Sequence, residues 1–146
     1  MKQRQAARER RRAREFEVFA GGAGGRLLHT ALLLTGEPAA AERLLVEALA
    51  HTYARWDRLR GEDPYECARQ ELTVRFVHSA RRYRRCPGGV LERLSPQERL
   101  VLVLRLHEGV AEEQAAAALG LPVERVRAIC ARAVATVRSR PPAAVS

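Results

Sequence analysis

Aromatic residues are scarce in this 146-residue chain, at 5%. A core therefore has to come mainly from Leu, Val and Ala, and an apolar content of 47% is enough to build one. Cysteine is nearly absent. Cys67, Cys86 and Cys130 are odd in number and widely spaced, which excludes a disulfide framework and fits reduced thiols. No apolar run approaches ~18 residues, so no segment reads as a membrane span. The basic start is followed by neither a continuous apolar stretch nor a small-residue cleavage pattern, which favours the cytoplasm. β-branched alternation, the mark of strands, is missing.

Missing motifs narrow function further. The four histidines His29, His51, His78 and His107 form no HExxH, and there is no CxxC, so neither a metal nor any other cofactor is expected. No Ser/His/Asp order or paired-carboxylate arrangement stands out, and Glu112-Glu113 read as helix-dipole partners. An enzyme with a small-molecule substrate is not expected. Gly21-Gly22-Ala23-Gly24-Gly25 has no strand before it and no Gly-Lys-Ser/Thr after it. It reads as a helix break and not as a phosphate loop.

Present instead are long runs of Ala, Leu, Arg and Glu, which favour helix and make the chain all-α. Glu15–Ala20 reads as a short helix before the glycines. Ala39–Leu59 is the strongest helix of the first half, with Leu44, Leu45, Ala48, Leu49, Thr52, Tyr53 and Trp56 stepping along one face. Tyr53 and Trp56 read as core and not as a stacking platform. Asp63 is placed to cap a further helix with Pro64 at its first position, running to about Arg85. Cys86-Pro87-Gly88-Gly89 is the clear break between two halves, and another helix spans about Pro96 to His107.

Net charge is +9, unevenly placed. Residues 1–14 hold seven basic side chains and one acid, a balance of +6, which leaves +3 for the rest. This start reads as a disordered, solvated tail suited to a polyanion.

The last third carries the strongest functional signal. Two helical patterns flank Leu119-Gly120-Leu121-Pro122. Gly120 suits the end of the first, and Pro122 suits the first turn of the second. The second carries an apolar stripe, Val126, Ile129/Cys130, Ala133 and Val137, with arginines beside it. A helix-turn-helix with a basic second helix fits a DNA major groove.

The order of these pieces resembles the sigma-70 family, in its small extracytoplasmic-function type. The first half is similar to region 2 in LLHTALLLTGEPAAAERLLVEALAHTYARWDRL and DPYECARQELTVRFVHSARR, and the second to region 4 in VLERLSPQERLVLVLRLHEGVAEEQAAAALGLPVERVRAICARAV. The resemblance implies two small helical domains. They are a region 2-like bundle at 15–85 and a region 4-like helix-turn-helix at 91–138, joined by a linker at 86–90 and flanked by tails at 1–14 and 139–146. It implies core RNA polymerase and promoter DNA as partners, often with an anti-sigma protein, and a role in transcription initiation. Polymerase contact falls to Glu42, Arg43, Val46 and Glu47. The −10 element falls to Arg75, His78, Arg81, Arg82, Arg84 and Arg85. The −35 element falls to Glu124, Arg125, Arg127, Ala128, Ala131, Arg132 and Arg138.

Four departures from the family pattern matter. Arg43 and Val46 stand where the family usually has an acid and a glutamine, which weakens an acidic docking face. Stepping 100° per residue from a buried Val126, the outward ridge of the second helix is Glu124, Ala128, Ala131 and Ala135. Arg125 and Arg132 lie on one side of it, and Arg127 and Arg138 on the other. Such arginine rails suit phosphates, whereas an alanine ridge offers few donors or acceptors to base edges. Ala111 stands where a Ser cap is usual. The linker spans at most ~20 Å, whereas two promoter elements two turns apart lie about 70 Å from each other. These departures keep two other readings in view. One is a sigma-like regulator that acts through a protein partner without initiating transcription, and the other is a stand-alone helix-turn-helix regulator.

Overall fold

The computed structural model describes residues 1–84 and 91–139. Arg85, the linker at 86–90 and residues 140–146 lie outside the described residues, and so do any roles expected of them. Every regular element among the described residues is a helix: α1 Lys2–Thr35, α2 Pro38–Ala54, α3 Pro64–His78, α4 Pro96–Leu102, α5 Glu112–Leu119 and α6 Val123–Arg138. Short 3-10 turns occupy Trp56–Arg58 and Ala80–Tyr83, and α4 runs on as a π turn over Val103–His107.

The first helix corrects two expectations. Residues 2–14 are its first turns and not a disordered tail, and Gly21–Gly25 pass through its middle without breaking it. α1 is anchored on both sides of the glycines. Phe16 lies 4.8 Å from the Tyr53 ring and 5.6 Å from Trp56, and Phe19 lies 5.6 Å from Trp56. Further along, Leu27, Thr30, Ala31 and Leu34 are buried. Packing on either side thus holds a segment whose four glycines each disfavour helix by about 0.8–1 kcal/mol relative to alanine. A methyl group at Gly21, Gly22, Gly24 or Gly25 would meet nothing within 4 Å. Gly22→Ala with Gly24→Ala is therefore expected to stabilise the chain by about 1–2 kcal/mol, read as a higher urea midpoint at unchanged slope. No gain would mean that these glycines serve a bend or a close approach in some other state.

Local chemistry sets most helix boundaries. Gly36, at φ 71°, ends α1 with its N–H on the Leu32 carbonyl at 2.8 Å. Asp63 caps α3 by accepting from the Tyr65 N–H at 3.0 Å, with Pro64 in the first turn. α4 begins with a capping box between Ser95 and Glu98. Two boundaries differ. The helix expected over Ala39–Leu59 ends at Ala54 and tightens into Trp56–Arg58. The helix expected to reach Arg85 ends at His78. There the Tyr83 ring stacks on Phe76, with centroids 5.4 Å apart, and the Tyr83 carbonyl accepts from Arg99. Those contacts draw the chain back onto the core before the basic run can continue as helix.

One apolar cluster runs through both halves, from Ala31, Leu44 and Leu72 to Leu100, Val103, Ala115 and Val126. Two polar devices cross between the halves. Arg99 of α4 is fully buried. It donates through Nε to the Leu94 carbonyl at 3.2 Å and through its Nη atoms to the Leu34 and Tyr83 carbonyls of the first half. Glu108, just past the π turn, has a fully buried side chain. It accepts from the Thr30 hydroxyl at 2.9 Å and the Tyr65 hydroxyl at 2.7 Å, and faces Arg26 at 3.3 Å. Burial and then the hydrogen bond to Glu108 push the Tyr65 phenol above its ordinary range.

Candidate nucleic-acid and polymerase interfaces

Gly120, at φ 65°, ends α5 in the left-handed conformation that glycine adopts without steric cost. The Leu121 N–H reaches back to the Ala116 carbonyl at 3.0 Å, a Schellman-type closure that sets the turn into α6. Pro122 takes the N-cap position, just outside the helix. Ala111 starts α5 without a side-chain cap. α6 is held from below by fully buried Val126 and Ala133, with Ile129, Cys130 and Val134 partly buried. The apolar stripe expected to reach Val137 stops short, since Val137 is exposed. The last turn is tied instead by Arg93, which donates to the Thr136 and Ser139 carbonyls at 2.5 and 2.6 Å.

Burying Val126 leaves Glu124, Ala128, Ala131 and Ala135 exposed along the opposite ridge, with Arg125, Arg127, Arg132 and Arg138 exposed on its flanks. Every α6 side chain expected to face DNA is therefore at the surface. Arg125 and Arg132, together with Ala128 and Ile129, line a groove whose far side is formed by Ser95, the N-cap of α4, and by Gln97 and Glu98 of its first turn. Chemically the surface offers guanidinium groups for phosphate oxygens and methyl groups for base edges.

Arg127 differs from its neighbours. Its Nη2 lies 2.8 Å from a Glu112 carboxylate oxygen, and Arg105 reaches the other Glu112 oxygen at 3.7 Å. The hydrogen bond from Arg127 is the main cause that holds the Glu112 carboxyl below its ordinary range. Glu112 thus ties the two helices of the motif together and occupies one of the four arginines, a role beyond that of helix-dipole partner. Glu112→Gln is expected to free Arg127 for one further phosphate. The slope of log affinity against log salt for duplex DNA should steepen by about 0.9, with the urea midpoint left close to the parent's, because a solvent-screened pair contributes little to folding. An unchanged salt slope would place Arg127 off the DNA.

The candidates on α2 and α3 divide in the same way. Arg75 spans the two helices, with Nε 2.9 Å from Glu71 and Nη1 3.1 Å from Glu47. His51 lies 3.4 Å from Glu71 beside them. Arg75, expected at the −10 element, and Glu47, expected at polymerase, are therefore brought together and satisfy each other. His78, Arg81, Arg82 and Arg84 are exposed around the Ala80–Tyr83 turn. Glu42, Arg43 and Val46 lie on the outer face of α2, and Val46 is 63% exposed. An apolar residue so open sits where a docking surface is expected. Arg99, Glu108 and Glu112 organise these surfaces yet carry no local sequence signal, because each has a partner 15 to 78 residues away.

Comparison with known proteins gives the same assignment. Residues 90–139 match the family model for sigma-70, region 4. The chain is 30% identical to the RNA polymerase sigma-E factor of Streptomyces avermitilis over 149 aligned positions, covering 85% of this chain and 83% of that protein. The sigma-E factors of Streptomyces antibioticus, at 30%, and Streptomyces coelicolor, at 28%, align over the same share of the chain. Likeness on that scale, reaching beyond the helix-turn-helix into the first half, means that the chain belongs to the sigma-70 family, in its extracytoplasmic-function type.

Proposed function

We propose that this chain acts as a sigma factor. It binds core RNA polymerase and promoter DNA in the cytoplasm and directs transcription initiation, as a binding protein and not a catalyst. The observation that carries the reading is α6. Inside a motif of sigma region 4, Arg125, Arg132 and Arg138 are exposed, and among the described residues none of them pairs with a carboxylate. In this reading α6 reads the −35 element through Glu124, Arg125, Arg127, Ala128, Ala131, Arg132 and Arg138. His78, Arg81, Arg82 and Arg84, with Arg75 and Arg85, meet the −10 element. Glu42, Arg43, Val46 and Glu47 dock the polymerase. The division into a region 2-like unit at 15–85 and a region 4-like unit at 91–138 is part of the same proposal, as is a partner of the anti-sigma kind.

One observation favours a second reading, a sigma-like regulator that works through a protein partner and does not initiate transcription. Arg99 and Glu108 join the two halves through a continuous core, and only residues 86–90 separate them. Affinity capture of the full chain from native extract separates the readings. Recovery of polymerase subunits is expected. A single small protein partner recovered without polymerase would replace the first reading with the second.

A further inference from the structure

Residues 1–14 hold seven basic side chains against one acid, and they form the opening turns of α1. This arm is fixed in place by its own side chains. Arg12 donates to the Tyr53 carbonyl at 2.5 Å, lies 3.5 Å from Asp57 and stacks 4.6 Å above the Tyr53 ring. One turn on, Glu15 accepts from the Trp56 indole N–H at 3.1 Å. Arg12 and Glu15 thus hold the arm to the end of α2 and the turn after it.

The other cations of the arm are left over. Lys2, Arg4, Arg8, Arg10, Arg11 and Arg14 are all exposed. Among the described residues none of them forms an ion pair, since Arg12 alone of the arm does so. Arg4, Arg8 and Arg11 fall at i, i+4 and i+7 on one helical stripe, and Arg10 and Arg14 on the stripe beside it. Like charges at i, i+4 disfavour a helix by about 0.2–0.5 kcal/mol per pair. The arrangement thus weakens the helix unless an anion neutralises it. At 1.5 Å per residue, Lys2–Arg14 spans about 18 Å, the length over which one strand of a duplex presents about five phosphates at 3.4 Å each. A straight, pre-ordered row of guanidinium groups matches a regular phosphate row better than it matches an irregular single strand. Arginine also forks onto phosphate oxygens.

We infer that the Lys2–Arg14 arm is a sequence-independent binding surface for the phosphate backbone of duplex DNA, additional to α6 and the end of α3. About 20 residues of α1, roughly 30 Å of helix, separate it from the turn beside Thr35, so it adds a second point of grip at the far end of the first half. It does not depend on whether α6 reads a promoter.

The test is fluorescence anisotropy with the full chain and a mixed-sequence DNA duplex, titrated from 50 to 200 mM salt without polymerase. The variant is Arg4→Gln/Arg8→Gln/Arg10→Gln/Arg11→Gln, since glutamine keeps helix propensity and circular dichroism verifies α1. Losing four phosphate contacts lowers the log–log salt slope by about 3.6. Over that salt range the parent should therefore lose about 100-fold more affinity than the variant. The same difference is expected in an Arg125→Gln/Arg132→Gln background, which separates the arm from α6. Equal slopes in parent and variant would overturn the inference, as would a drop seen only with single-stranded RNA of the same length.

Discussion

Replacing Arg99 with methionine is expected to lower the stability of the chain by about 3–5 kcal/mol. The guanidinium is fully buried and donates to carbonyls in three places: Leu94 in its own segment, Leu34 at the end of α1 and Tyr83 in the turn after α3. Methionine fills a similar volume but donates nothing, and each buried carbonyl left without a donor costs about 1–3 kcal/mol. Against a total of about 5–15 kcal/mol for a domain of this size, the loss is a large share. Arg99→Lys should recover little of it, since a point ammonium cannot span three carbonyls set around a planar fork. Urea denaturation followed by circular dichroism measures both variants. A loss below about 1 kcal/mol for the methionine variant would mean that water reaches these carbonyls.

Glu108→Ala is the second large effect, at about 3 kcal/mol or more. It strips the shared acceptor from the Thr30 and Tyr65 hydroxyls and the acidic partner from Arg26. Glu108→Gln keeps an acceptor and should cost markedly less, because the buried hydroxyls stay satisfied. The same cluster sets an alkaline dependence. The Tyr65 phenol titrates above its ordinary range in the folded chain. Its proton is therefore bound more tightly folded than unfolded, and its contribution is complete below about pH 10. That contribution is lost as pH rises past the unfolded value toward the folded one. Tyr65→Phe should flatten the fall in stability above about pH 10. An equal fall in parent and variant would remove Tyr65 as its source.

The parts of this molecule legible in the sequence are those governed by local chemistry. Gly120, Asp63 and Pro64 act through their own backbone preferences, and each marks the boundary it was read to mark. The exposed ridge of α6 follows from helical periodicity once Val126 is buried. Where distant partners decide, local signals mislead. The glycine run in α1 looks like a break, but aromatic packing before it and burial after it carry the helix through. The basic run after His78 looks helical, yet Phe76 and Arg99 capture Tyr83 and end the helix. Glu112 sits beside Glu113 and reads as one of a pair of dipole partners, while its actual partner, Arg127, is fifteen residues away across the turn. Arg99 and Glu108 reach 65 and 78 residues back along the chain, farther than any periodic pattern extends.

Whether this chain initiates transcription is decided by run-off transcription with purified core RNA polymerase, on a template selected for binding to the polymerase–chain complex. A discrete transcript is expected that depends on this chain and falls at least 10-fold in Arg125→Gln/Arg132→Gln, through the loss of two phosphate contacts of α6. A chain that binds core polymerase or DNA yet yields no transcript from any selected template would contradict a role in initiation.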